Sequence, residues 1–200
     1  MKNTEEYILA EINKKNKRHV FFTEDFRQYG TASAVKVALH RLVKRNILSR
    51  LGRGIYAQPE YSKLLNLELL PDIEKIAKAI AKRDRAKIIP TGSYALHALG
   101  LSTQVPMKLV YMTDATARKV MIGNTEIVFK RTSAKNLSYK SELCMLIVQA
   151  LKEIGNGKVN KEEELKVIDL LKKEEYHKLK HDIAIAPQWI AEIMVKALPK

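Results

Sequence analysis

Between Thr31 and Arg53 the chain spaces basic and small polar side chains at helical intervals, followed by two arginines set among glycines. Lys36, Val37, His40, Arg41 and Lys44 recur at intervals of three and four, so one helix face carries them, with Thr31, Ala32 and Ser33 at its start. Such a helix fits the major groove of B-DNA, roughly 12 Å wide, where Lys and Arg flank the few groups that reach base edges. Arg50 and Arg53 follow around Gly52 and Gly54, placed for phosphate or an adjacent minor groove. The candidate DNA-binding set is Thr31, Ser33, Lys36, Val37, His40, Arg41, Lys44, Arg50 and Arg53.

Several elements must hold these residues. Tyr7, Ile8 and Ile12 predict a first helix from about Thr4. After the apolar run Val20-Phe21-Phe22, Thr23 suits the N-cap of a brief second helix, Glu24 to Gln28, closed at Tyr29-Gly30 where glycine permits a sharp turn. A third helix runs from about Thr31 to Arg45, capped by Thr31 or Ser33, and buries Val35, Leu39, Leu42 and Val43. Ile47 to Leu51 and Ile55 to Ala57 then read as two strands about a glycine-flanked turn, with Ile47, Leu51 and Ile55 packing back on the helices. A basic helix face by itself is more often a solvated surface. Short helix, glycine turn, basic helix and Arg-Gly hairpin in that order predict a winged helix-turn-helix over residues 1–60.

Gln58 to Tyr61 reads as a short linker, and residues 62–200 as a mixed α/β region ending in helices, so the expected fold class is α+β. A helix starts near Asp72 and carries Ile73, Ile76, Ala77 and Ile80; its basic end, Lys82 to Lys87, is free either to extend a DNA-facing field or to stay solvated. Ile88 to Leu101 reads as a strand or turn, a helix and a glycine stop, Thr103 to Pro106 as extended, and Lys108 to Met112 as a strand. Lys119 to Ile122 and Thr125 to Arg131 form a hairpin about Gly123-Asn124. Three helical stripes follow: Leu143 to Leu151, stopped at Gly155; Leu165, Ile168 and Leu171 behind an acidic first turn, Glu162 to Glu164; and Trp189 to Ala197.

The chain of 200 residues has a net charge of +14. Residues 1–60 hold twelve basic and six acidic residues, a net +6; residues 61–135 hold thirteen and six, a net +7; residues 136–200 hold eleven and ten, a net +1. The positive field belongs to the first two thirds and favours a polyanionic partner, while the nearly neutral tail suits packing or a protein partner. A hydrophobic share of 46% excludes a disordered chain. The single cysteine, Cys144, lies in an apolar run and reads as a buried thiol. The chain shows no run of about 18 apolar residues and no signal-peptide pattern at its start, so a cytoplasmic protein with no membrane association is expected.

At Thr91-Gly92-Ser93-Tyr94-Ala95-Leu96-His97-Ala98-Leu99-Gly100-Leu101-Ser102-Thr103-Gln104-Val105-Pro106, followed by Lys108-Leu109-Val110-Tyr111 and preceded by the wing Arg50-Leu51-Gly52-Arg53-Gly54-Ile55-Tyr56, the chain resembles the AbiEi-type antitoxins of type IV toxin-antitoxin and abortive-infection systems. The resemblance spans most of the chain through diffuse motifs, none of them catalytic. It implies an N-terminal winged helix that represses the operon as a transcription regulator. It also implies a C-terminal region, here short for the family, that counters a nucleotidyltransferase-like toxin. The antitoxin is not the enzyme in such systems.

Three rivals are weighed on residues. Gly92-Ser93 at a helix start suits phosphate, as in nucleotidyltransferases, but that chemistry needs two or three carboxylates for metal ions and Asp114 is isolated. Helix capping is the plainer role for Ser93. His177 and His181 share a helical spacing, yet no His or Cys set has zinc spacing, so no metal, cofactor or catalytic group is expected. An RNA binder would also be basic, but the aromatic share is 6% and Phe21, Phe22 and Phe26 are wanted in the core. A stand-alone regulator without a toxin remains compatible with every residue named, and the oligomeric state on DNA stays open.

Overall fold

Asn3 opens the first helix, α1 (Thr4–Asn13): its side chain accepts the Glu6 N–H at 2.9 Å and the Glu6 carboxylate accepts the Asn3 N–H at 3.0 Å. Ile8 and Ile12, one turn apart, are its buried residues. β1 (Val20–Phe22) leads into a 3-10 helix, Thr23–Tyr29. Thr23 is the first residue of that helix and not its cap, contrary to the sequence expectation. The N-cap is Phe22, whose side chain accepts no bond, and its N–H donates to Asp25 Oδ2 at 2.8 Å. Gly30 is extended at φ 163 and makes no left-handed turn. What requires glycine there is close approach, because a Cβ would stand 2.8 Å from Thr4 Oγ1.

α2 (Ala32–Lys44) is capped by Thr31, whose hydroxyl accepts the Ala34 N–H at 3.2 Å; Ser33 lies inside the helix. Its buried residues are Val35, Ala38, Leu39 and Leu42, while Val43 is only half-buried. Asn46, in the left-handed region at φ 56, turns the chain after the helix. β2 (Ser49–Gly52) and β3 (Ile55–Ala57) complete an antiparallel sheet of order β1-β3-β2, with Tyr56 between Phe21 and Arg50. Ile8, Ile12, Phe21, Phe26, Leu39, Leu42 and Leu48 meet in one core beneath this sheet and the two helices.

Of the linker expected at Gln58 to Tyr61, Gln58 and Pro59 are irregular, whereas Glu60 and Tyr61 already belong to a second hairpin, β4 (Glu60–Ser62) and β5 (Leu67–Leu69). α3 (Ile73–Arg83) follows, with Asp72 Oδ1 accepting the Lys75 N–H at 2.7 Å and Ile76, Ala77, Ile80 and Ala81 buried. The structure, a computed structural model, describes residues 3–64, 66–104, 106 and 108–199. By packing the chain forms two units, Met1–Arg83 with Met121–Asn124, and Asp84–Val120 with Thr125–Lys200. The hairpin β4–β5 and α3 therefore group with the first unit, whereas the sequence places the division at residues 60–62.

The rest of the chain contains β6 (Ile88–Thr91), α4 (Ser93–Ala98), β7 (Lys108–Thr113), β8 (Arg118–Ile122) and β9 (Thr125–Arg131). The strand order is β6-β7-β9-β8, with β6 antiparallel to β7 and β7 parallel to β9, which sets Tyr111 beside Phe129. Gly92 occupies the N-cap of α4 at φ 64, a backbone open to glycine, which puts Ser93 one residue inside the helix with no capping bond. The capping role expected of Ser93 is corrected accordingly. Val105, in the segment expected to be extended, lies outside the described residues.

The chain ends in four helices: α5 (Glu142–Ile154), α6 (Lys161–Leu171), α7 (Tyr176–Ile185) and α8 (Gln188–Val195). Ser141 caps α5, its hydroxyl accepting the Cys144 N–H at 3.0 Å, and Asn160 and Glu163 form a capping box on α6. α7 has no counterpart in the sequence reading. Among the described residues no helix is long and apolar enough to cross a membrane.

Cys144 is fully buried and free. Burial, reinforced by Asp182 and Glu174 against an opposing bond from Ser141, pushes its thiol up to about 12 from an ordinary 9.0. The Tyr139 phenol is likewise raised by burial to about 12 from 10.0. In the unfolded chain the thiol ionises near 9.0 and the phenol near 10.0, so above each value the unfolded state holds fewer protons and folding stability falls. The stability they contribute is complete below pH 9 and is lost toward pH 12. The urea midpoint is expected to stay level through neutral pH on their account and to drop above about pH 9. Iodoacetamide at pH 8 should label the native chain at least ~100-fold more slowly than the chain in urea, and equal rates would contradict the buried thiol.

Candidate nucleic-acid interface

All nine residues expected to meet DNA are exposed: Thr31, Ser33, Lys36, Val37, His40, Arg41 and Lys44 on and before α2, and Arg50 and Arg53 on the β2–β3 hairpin. They divide by direction. Lys36 and His40, with Val43 one turn further along α2, line an open groove of about 590 Å³ whose opposite wall carries Arg50 and Arg53. Thr23, Glu24, Gly54 and Tyr56 complete it. The amphipathic register of α2 produces this arrangement. With Val35, Leu39 and Leu42 turned into the core, Lys36 and His40 must face outward toward the hairpin.

Thr31, Ser33, Val37, Arg41 and Lys44 do not line the groove. Arg41 points toward α1, with its guanidinium 3.8 Å from Glu5 Oε2, and Arg45 is 2.8 Å from Glu5 Oε1. Arg41 is exposed and its contact with the half-buried Glu5 is long, so the pair contributes about 1 kcal/mol and Arg41 is able to exchange Glu5 for phosphate. A smaller concavity of about 320 Å³ adjoins the groove through Thr23, Glu24 and Lys36 and brings in Arg27.

Among the described residues no carboxylate lies within 4.0 Å of the charged groups of Lys36, Arg50 or Arg53. Arg50 Nε donates a long bond of 3.4 Å to the Gly52 carbonyl. Among the described residues Glu24 is the one acid on the groove wall. The groove therefore presents unneutralised cations on a rigid helix and a short hairpin, a geometry suited to a polyanion. The sequence reading missed Thr23 and Tyr56, and it assigned Val43 wholly to the core. Periodicity places Val43 near the boundary of the buried stripe without showing that one side of it stays open.

Several charges outside the groove are paired. Arg118 pairs with Asp84 and lies 5.4 Å over the Phe129 ring, and Lys119 is 3.3 Å from Glu126. His181 Nδ1 is 2.8 Å from Asp182 Oδ1, and His177 Nε2 is 3.4 Å from Glu175. Among the described residues no three His, Cys, Asp or Glu side chains cluster as metal ligands would. Asp114 accepts the Lys87 N–H at 2.9 Å and so ties one turn to another.

A mixed α+β chain with an open basic groove between one helix and one hairpin is the class these features define. The chain belongs to DUF6088, a family of unknown function, which it matches over residues 7–179. A comparison with curated proteins gives no match.

Proposed function

We propose that the first unit is a winged helix-turn-helix that binds double-stranded operator DNA, with α2 in the major groove and the β2–β3 hairpin as its wing. The observation that supports it most strongly is the convergence of Lys36 and His40 with Arg50 and Arg53 on one open groove. In this reading α2 meets base edges while the wing arginines meet phosphate or the adjacent minor groove. The chain then acts as a transcriptional autorepressor and not as an enzyme. The resemblance to AbiEi-type antitoxins extends the proposal: the remainder of the chain counters a nucleotidyltransferase-like toxin, a task suited to the nearly neutral last third.

Fluorescence anisotropy of the full chain tests the DNA reading. A duplex from upstream of its own gene is expected to bind about a thousandfold more tightly than a scrambled duplex at the same salt concentration. RNA of equal length should compete no better than the scrambled duplex, and equal affinity for RNA would replace DNA as the partner. For the antitoxin part, co-expression with a toxic neighbouring gene should restore growth. A groove variant that no longer binds DNA should rescue as well, because repression and neutralisation are separate in this reading. If a nucleotidyltransferase-like neighbour stays toxic beside the full chain, the antitoxin part fails and a lone regulator is left.

A further inference from the structure

The second unit has a concavity of its own, about 450 Å³, which falls in the range of small-ligand sites. Lys108 and Lys130 reach it from β7 and β9, and Lys152 from α5. Lys108 is partly engaged, 3.1 Å from Glu126. Among the described residues neither Lys130 nor Lys152 has a carboxylate within 4.0 Å. Glu153 is the single acid on the wall, and it stands at the Gly92 end, where an added Cβ would be 3.6 Å from its Oε2.

A buried amide lines the same space. Gln149 is 3% exposed, lines the concavity, and its Nε2 has no hydrogen-bond partner among the described residues. An unsatisfied buried N–H group destabilises the empty protein, so a donor kept there invites an acceptor from outside. Val110 and Met112 add an apolar strip from β7 on which a ring can lie.

We propose that this concavity binds the phosphate chain of a small phosphorylated ligand of the nucleoside di- or triphosphate class. Lys130 and Lys152 hold the phosphates, Gln149 donates to one phosphate oxygen, and the Val110–Met112 strip covers the base. Burial and the neighbouring Lys135 hold the Lys152 pKa below its usual value, and the charge of a bound anion opposes both effects. The site involves only second-unit residues and is independent of the DNA reading.

Titration of the full chain with a fluorescent N-methylanthraniloyl ATP is the direct test. Saturable binding is expected, displaced by ATP and by inorganic pyrophosphate and not by adenosine. Lys130→Gln and Lys152→Gln should each weaken it about tenfold. Gln149→Leu should weaken binding while leaving the melting temperature equal or higher, which a merely structural role for the amide would not do. Arg53→Ala, in the DNA groove, should bind the nucleotide unchanged. Pyrophosphate is expected to bind more weakly than ATP, and binding as tight as that of ATP would overturn the base contact with Val110 and Met112. No saturable binding at millimolar nucleotide, full affinity in both lysine variants, displacement by adenosine, or loss in Arg53→Ala would each overturn it.

Discussion

Replacing Lys36, Arg50 and Arg53 together by alanine is expected to lower affinity for duplex DNA by at least ~100-fold and to cut the salt dependence of binding. Each phosphate neutralised by Lys or Arg adds about 0.9 to the slope of log affinity against log salt, so loss of three such contacts flattens it by roughly 2–3. All three side chains are exposed, so the melting temperature should hold and an affinity change will report on the interface alone. Arg41→Ala is the informative contrast. Sequence spacing makes it a candidate for base reading, at a cost of about 1–3 kcal/mol if it contacts a base edge. The structure sets it beside Glu5 and outside the groove, which favours a smaller and sequence-independent loss. Unchanged DNA binding in the triple variant would remove the groove from the interface.

Asp182→Ala should unfold the second unit far more readily, by about 3 kcal/mol in a urea titration. Asp182 is fully buried on α7, and its two carboxylate oxygens accept the Lys140 and Ser141 N–H groups, each at 2.9 Å. His181 Nδ1 reaches Oδ1 as well, at 2.8 Å. Ser141 in turn caps α5 and bonds to Glu174, so one carboxylate secures the approach to the central helix from α7. Alanine leaves the buried Ser141 N–H and the part-buried Lys140 N–H without their acceptors, a large share of the 5–15 kcal/mol typical of a folded domain. Asp182→Asn keeps one acceptor and should cost less. A loss within about 0.5 kcal/mol for alanine would show that water replaces the carboxylate and that the staple is incidental.

Much of the local structure is legible from residue types. Asn3 with Glu6, Thr31 before α2, Asp72 before α3 and Asn160 with Glu163 are short-range capping arrangements, and the spacing of Val35, Leu39 and Leu42 fixes which side of α2 is outward. Lys36, His40, Arg50 and Arg53 are found the same way. Several features escape because their cause lies elsewhere in the chain. Gly30 is required by Thr4, twenty-six residues earlier, and not by its own backbone. In α7 the spacing of His177 and His181 is too little to announce a helix, since its buried residues are Leu179 and Asp182 and Asp182 finds its partners near α5.

Periodicity and capping chemistry, which act within a few residues, settle the presence and outward face of α1, α2 and α3 and the excess of positive charge over the first two thirds. Tertiary packing alone decides that the hairpin arginines stand opposite Lys36 and His40 while Arg41 turns to Glu5. It also decides that β7 runs parallel to β9 and that Gln149 lines one concavity with Lys108, Lys130 and Lys152. Those outcomes depend on which groups meet across long loops, and the free energy of such meetings is set by burial and pairing partners that no single segment contains.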